Sequence, residues 1–420
     1  VRIESKFWPV LRVAAGNFLE AYDFQVFGYY AAAIGQTFFP GGNSYASLML
    51  SLTTFGAGFL MRPLGAIVLG AYIDHKGRRT GLLLTLGLMA IGTFSIACTP
   101  SYATIGLTAP LLVLAGRLLQ GLSAGVELGG VSVYLAEIAT PGRRGFFVSW
   151  QSATQQVAVV FAALLGLILT SNLSNADMTR WGWRIPLLVG CLIIPFIFRL
   201  RRSLEETDAF LARKHHPTMS GIVRTLATHW RLVLLTTMMA TMVTVCFYMI
   251  TAYTPTFGSS VLHLTSTASL GVTLWVGLSN FFWVPVMGAL SDKVGRRPLL
   301  LACSILTLLT AYPALLWLVA APSFSRLLAV ELWLSLMFGG YSGGLVVYMT
   351  EIMPVEVRTT AFSLAFTLAT AIFGGFTPAI CTYLIHVTGN RAMPGAWLSA
   401  AAACGLIAVL ALSGAKTESI

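Results

Sequence analysis

About a dozen apolar runs of roughly 20 residues follow one another along this chain, separated by short polar breaks. Each run is long enough to cross the ~30 Å hydrocarbon layer of a bilayer as a helix. Backbone polar groups in hydrocarbon must pair internally, so only helices and closed barrels span it. Alternating strand patterns are absent, which excludes a lipid-facing barrel and leaves an all-α membrane protein. Composition agrees: 56% of the 420 residues are hydrophobic and 10% are charged, against about a quarter charged in a soluble domain. The pattern predicts helices at roughly 10–37, 46–73, 80–98, 109–137, 146–170, 183–202, 231–254, 268–291, 299–320, 327–350, 359–385 and 394–413. The opening VRIESKFWPVLR has no apolar signal core, so no cleavable export signal is expected.

The net charge of +11 is not a nucleic-acid footprint, because the basic clusters fall at every second break. They are DHKGRR (Asp74 to Arg79), PGRRG (Pro141 to Gly145), RLRRS (Arg199 to Ser203), DKVGRR (Asp292 to Arg297) and EVR (Glu356 to Arg358). The breaks near Phe38–Tyr45, Thr99–Thr108 and Pro255–Ser266 carry no Lys or Arg. This positive-inside pattern predicts cytoplasmic termini and a lipid bilayer as the partner, with no nucleic acid. Six cysteines stand singly in apolar runs, and the histidines have no metal spacing. The G-x-x-x-x-G-K-[ST] phosphate loop is absent, so neither a cofactor nor ATP is expected, and the chain reads as a non-enzyme.

The two halves repeat. GAYIDHKGRR (Gly70 to Arg79) matches GALSDKVGRR (Gly288 to Arg297), and AEIATPGRRG (Ala136 to Gly145) matches TEIMPVEVRT (Thr350 to Thr359). Two six-helix halves of parallel orientation, 1–202 and 231–420, joined by a cytoplasmic linker at 203–230, make a transporter architecture with substrate at the midplane. Leu204, Phe210 and Leu211 in the linker fit a short amphipathic surface helix.

The G-x-x-x-D-x-x-G-R-R loops and RLLQGLSAGVELGG (Arg117 to Gly130) resemble the signatures of the major facilitator superfamily. NFLEAYDF, RPLGAIVLG and GVELGG are similar to its metabolite:proton symporter branch. SWQSATQQVA, WGWRIP and FSLAFTLATAIFGGFTPAI are similar to citrate/tricarballylate–proton symporters of enteric bacteria. The resemblance implies the twelve-helix fold, a bacterial inner-membrane location and a functional monomer. It also implies import of a tricarboxylate with protons by alternating access, citrate first and tricarballylate second. Carriers of osmoprotectants or dicarboxylates share the branch, and a transporter-derived nutrient sensor is the alternative from another class.

Two classes of charge follow. At the cytoplasmic mouth, Gly70, Asp74, Gly77, Arg78, Arg79, Glu137, Asp292, Arg296, Arg297 and Glu351 are candidate gating residues. Asp74 would cap a neighbouring helix, the following arginines would reach Glu137, and Arg296 would reach Glu351; topology anchoring is the plainer reading. Deeper, Arg62 and Arg117 sit in helix interiors, where an arginine must pair. They are candidate ligands for substrate carboxylates through the guanidinium fork, or structural partners of Glu20, Asp23 or Glu127. Those three acids are the candidate proton carriers, since an acid beside an arginine can exchange partners on protonation. Asn17, Gln120, Gln151, Gln155, Tyr253, Asn280 and Tyr341 complete the expected small-anion site, with helix packing as the alternative role. Glu331 is the one interior charge of the second half. MFGGYSGG and IFGGFTP are expected to permit close packing or bending.

Overall fold

In the computed structural model the described backbone covers residues 4–76, 78–125, 127–202, 224, 227–354 and 358–415. Side chains at 4–16, 70, 71, 73–79, 82, 127–130, 200–202 and 413–415 also lie outside the description. The expected amphipathic linker helix falls in the part not described.

Twelve helical segments follow in order among the described residues. The first half holds α1 (Glu4–Tyr29, continued by Ala31–Phe38), α2 (Ser44–Lys76), α3 (Arg78–Cys98), α4 (Thr108–Ala124, continued by Glu127–Ile138), α5 (Arg144–Asn172) and α6 (Arg184–Arg202). The second holds α7 (Trp230–Tyr248, running through turns to Val261), α8 (Ser266–Val294), α9 (Arg296–Ala320), α10 (Phe324–Ile352), α11 (Arg358–Ala369, continued by Thr377–Thr388) and α12 (Met393–Ala415). Eight helices among the described residues are long and apolar enough to cross a membrane. A ninth crossing is a pair bent by 45° before α6, and the apolar parts of α3 and α4 are shorter. Leu192, Phe196, Ile91, Leu309 and Ile407 lie exposed on the outer faces, where hydrocarbon rather than water suits them.

Small residues decide how closely these helices meet. In membranes such residues let backbones approach. A Cβ on Gly121 of α4 would sit 1.6 Å from the Gly58 carbonyl oxygen of α2, and one on Gly125 would sit 2.1 Å from the Arg62 carbonyl oxygen. With α2 and α4 this close, the guanidinium groups of Arg62 and Arg117 both reach the Phe24 ring of α1. The MFGGYSGG stretch stays within one uninterrupted α-helix, α10, where Gly339 and Gly343 seat against α8. IFGGFTP instead contains a π-helical turn, Thr370–Gly374, so only this second stretch interrupts α-helical pairing. α7 contains a similar turn at Met249–Tyr253.

The halves touch at both ends. At the basic end, the Asp292 carboxylate of α8 accepts from the backbone N–H groups of Gly145 (2.8 Å) and Phe146 (3.0 Å) at the start of α5. A Cβ on Gly145 would lie 2.3 Å from the Gly288 carbonyl oxygen. At the opposite end Gly28 of α1 lies against Ala252 of α7, and the rings of Tyr45 and His386 stack at 3.8 Å between α2 and α11. Between these seals lies the interior cavity.

Candidate functional site

Burying an ion costs several kcal/mol unless it is paired and hydrogen-bonded. Glu20 of α1 and Arg62 of α2 meet this cost together: their side chains form a 2.8 Å ion pair, each 7% exposed. The Arg62 guanidinium also lies 4.7 Å from the Phe24 ring centre and 4.5 Å from that of Phe59, a cation–π cradle. Tyr248, from α7 in the other half, faces the same guanidinium. Pro63 follows directly and cannot donate to the Phe59 carbonyl, loosening α2 at this level.

This pair borders a narrow cavity of about 40 Å³ between the halves. Glu20, Phe24, Gln25, Arg62, Gln151, Ser152 and Gln155 line it from the first half. Thr244, Phe247, Tyr248, Phe338, Ser342, Phe366 and Thr370 line it from the second. Two donors on the wall, Arg62 Nε and Gln151 Nε2, are buried with no hydrogen-bond partner among the described residues. A buried donor without an acceptor costs about 1–3 kcal/mol, so the wall is set for a ligand rich in acceptors. Two hydrogen bonds cross between the halves beside it: Gln25 Nε2 donates to Thr251 at 3.1 Å, and the Ser342 and Ser152 hydroxyls meet at 3.2 Å.

Among the expected site residues, Arg62, Glu20, Gln151 and Gln155 reach the cavity. Arg117 stands outside its lining, fully buried, with its guanidinium 4.2 Å from the Phe24 centroid and 4.7 Å from that of Phe27. It donates to Gln120 (2.8 Å) and to the Phe55 carbonyl (3.3 Å). Gln120 in turn donates to the Thr93 hydroxyl (2.9 Å), and that hydroxyl bonds the Asp23 carboxylate. Asp23 and Arg117 are thus joined by a two-residue relay behind a wall of phenylalanines. Asn17 is buried away from the cavity lining with both amide atoms unpartnered among the described residues. Tyr253 bonds Thr382, Tyr341 donates to the Met239 carbonyl, and Asn280 joins Gln156 and Ser335, so these three hold helices together. The Glu127 side chain lies outside the described residues.

The expected gate is described in its second-half copy. Asp292 caps α5 as above and pairs with Arg296 at 2.7 Å, while Arg296 reaches Glu351 at 3.2 Å. Arg297 is exposed, as is Glu137. The first-half copy, comprising the side chains of Asp74, Arg78 and Arg79 with Gly70 and Gly77, lies outside the description. Thr93, Gln25, Thr244 and Thr370 were not singled out by sequence; only Gln25, an amide two residues past Asp23 in an apolar run, carried a signal.

Two parallel helical halves, closed at both ends around a midplane cavity with a buried acid–arginine pair, define a secondary transporter. The chain is a multi-pass membrane protein and belongs to the Major Facilitator Superfamily, whose family profile matches residues 13–378. It is 58% identical over 406 residues to a citrate-proton symporter of Salmonella typhi, covering 97% of this chain and 94% of that one. It is 60% identical over 399 residues to a citrate-proton symporter of Klebsiella pneumoniae, covering 95% and 90% respectively. The fold matches a partially occluded inward-open structure of the xylose transporter XylE from E. coli, with TM-score 0.77, 18% identity and 96% coverage of both chains.

Proposed function

We propose that the chain imports citrate together with protons across the bacterial inner membrane by alternating access. The observation that carries this reading is the Glu20–Arg62 ion pair on the wall of the cavity between the halves. The 58–60% identity to citrate-proton symporters supports the choice of substrate. The basic end faces the cytoplasm, both termini lie there, and the monomer is the working unit. The halves are 1–202 and 231–420, with 203–230 as linker. Substrate leaves chemically unaltered.

Coupling follows from competition for one guanidinium. With the site open to the outside, a proton on Glu20 ends its claim on Arg62. A citrate carboxylate then takes the guanidinium fork, which binds carboxylates bidentately. Gln151 and Gln155 supply amide donors, and Tyr248, Ser342, Thr244 and Thr370 close on the ligand from the other half. Once the basic end opens, Glu20 loses its proton to the cytoplasm, recaptures Arg62 and displaces citrate. Asp23 acts one layer back, tuning the layer through Thr93, Gln120 and Arg117; Glu127 is the third candidate acid. At the basic end, Asp292, Arg296 and Glu351 form the latch, with Asp74, Gly70, Gly77, Arg78, Arg79 and Glu137 as its first-half counterpart and Arg297 at its margin.

The test is uptake of labelled citrate into liposomes holding only this protein, with an inward proton gradient present or absent. Accumulation that needs the gradient and is blocked by tricarballylate but not by betaine is expected. Betaine movement without citrate movement would overturn the substrate.

A further inference from the structure

Glu331 of α10 takes no part in the cavity, yet it is a carboxyl 5% exposed inside the second half. No ion pair involves it among the described residues. Arg326, five residues earlier on the same helix, is turned onto the Trp317 carbonyl and ring. The described ionisable group facing Glu331 is the Cys246 thiol of α7, which in turn faces Cys303 of α9. One carboxyl oxygen has no partner among the described residues. The other lies 2.9 Å from the Thr254 hydroxyl, at the far side of the π-helical turn of α7.

That hydroxyl holds a single hydrogen. It also lies 2.9 Å from the Ile250 carbonyl and 3.2 Å from the Met249 carbonyl, both within or beside the turn. One hydrogen cannot serve both 2.9 Å contacts. Both are satisfied when Thr254 donates to Ile250 and the acid form of Glu331 donates to Thr254. An ionised carboxylate here would be a buried charge without a countercharge, which proteins avoid. The same π turn reaches the cavity through the bond from Gln25 to Thr251. Beyond it, the Thr256 hydroxyl contacts the Gly28 carbonyl at 3.4 Å, on the seal opposite the basic end.

We propose that Glu331 is a proton-binding site separate from the Glu20–Arg62 pair, and that its protonation permits the end opposite the basic clusters to close. When that end opens, α1 parts from α7, water reaches the turn, and Glu331 releases its proton to the same side. Closure then takes up one proton, so the ratio of closed to open forms falls up to tenfold per pH unit as pH rises. The inference uses the symport reading only for its setting, and its test needs no substrate.

Spin labels on G42C and V387C, at the two sides of this seal, report its distance in the full-length protein in liposomes as pH is varied. The wild-type background is expected to gain a long-distance population as pH rises. Glu331→Gln, whose amide N–H donates to Thr254 as the acid does, is expected to stay closed across the range. His386 stacks on Tyr45 at the same seal in both proteins, so the comparison cancels any contribution from it. Identical pH profiles for the two would overturn the proposal. Infrared spectra of wild type with ¹³C-labelled glutamate give a second reading that needs no variant. A protonated-carboxyl band shifted by the label and lost as the seal opens is expected; absence of any such band would overturn the proposal as well.

Discussion

Replacing Asp292 by Asn should open the basic end. In the closed form each carboxylate oxygen accepts one backbone N–H from the start of α5, at 2.8 and 3.0 Å, and the first also meets Arg296 at 2.7 Å. Asparagine keeps one acceptor and sets an NH₂ group against the other N–H. One charge-assisted bond is lost, at about 1.5–3 kcal/mol. That loss falls on the closed form alone, because opening separates α5 from α8 and forfeits the two N–H contacts in either protein. The i,i+4 pair to Arg296 lies within the second half and is present in both forms, so its weakening cancels. At about 1.4 kcal/mol per factor of ten, closed over open should fall roughly ten- to a hundredfold. Spin labels on R143C and K293C, at the ends of α5 and α8, should show a short distance in the parent and a dominant longer one in Asp292→Asn. An unchanged distance distribution would refute the latch.

Three further outcomes are expected. Arg62→Lys keeps the charge but loses the fork, so citrate binding should weaken at least about tenfold, as read by isothermal titration; unchanged affinity would remove Arg62 from the site. Glu20→Gln should retain citrate exchange between equal pools while losing accumulation driven by a proton gradient, measured side by side in one liposome preparation. Gly121→Ala places a methyl 1.6 Å from the Gly58 carbonyl oxygen, so α2 and α4 must part; a loss of about 1–3 kcal/mol or more is expected, seen as a lower unfolding temperature in detergent.

The helices were legible in the sequence because apolar length alone sets them, and the repeated loop motifs gave the two halves. Interruptions were less so. The turns at Met249–Tyr253 and Thr370–Gly374 depend on which carbonyl each N–H finds, and hydropathy is blind to that choice. The α-helix of α4 stops at Gly125, one turn past the closest approach of α2 at Gly121, a crossing that hydrophobic periodicity does not encode. Arg62 and Arg117 looked equivalent as deep cations. Packing separates them: Arg62 faces the cavity beside Glu20, while Phe24, Phe27 and Phe55 enclose Arg117. Asp23 reads as a membrane acid in any sequence, but its tie to Thr93 depends on how α1 and α3 meet. A lone threonine in an apolar helix gives no hint of such a partner.

The most direct measurement follows the proton itself. Liposomes carrying the protein and an internal pH dye are given citrate outside with no initial pH difference and the membrane potential clamped at zero. The exchange of Arg62 between Glu20 and citrate predicts internal acidification that tracks citrate entry in the wild type. It predicts citrate entry without that acidification in Glu20→Gln. Citrate entry with no protein-dependent acidification in the wild type, or full acidification in the variant, would contradict it.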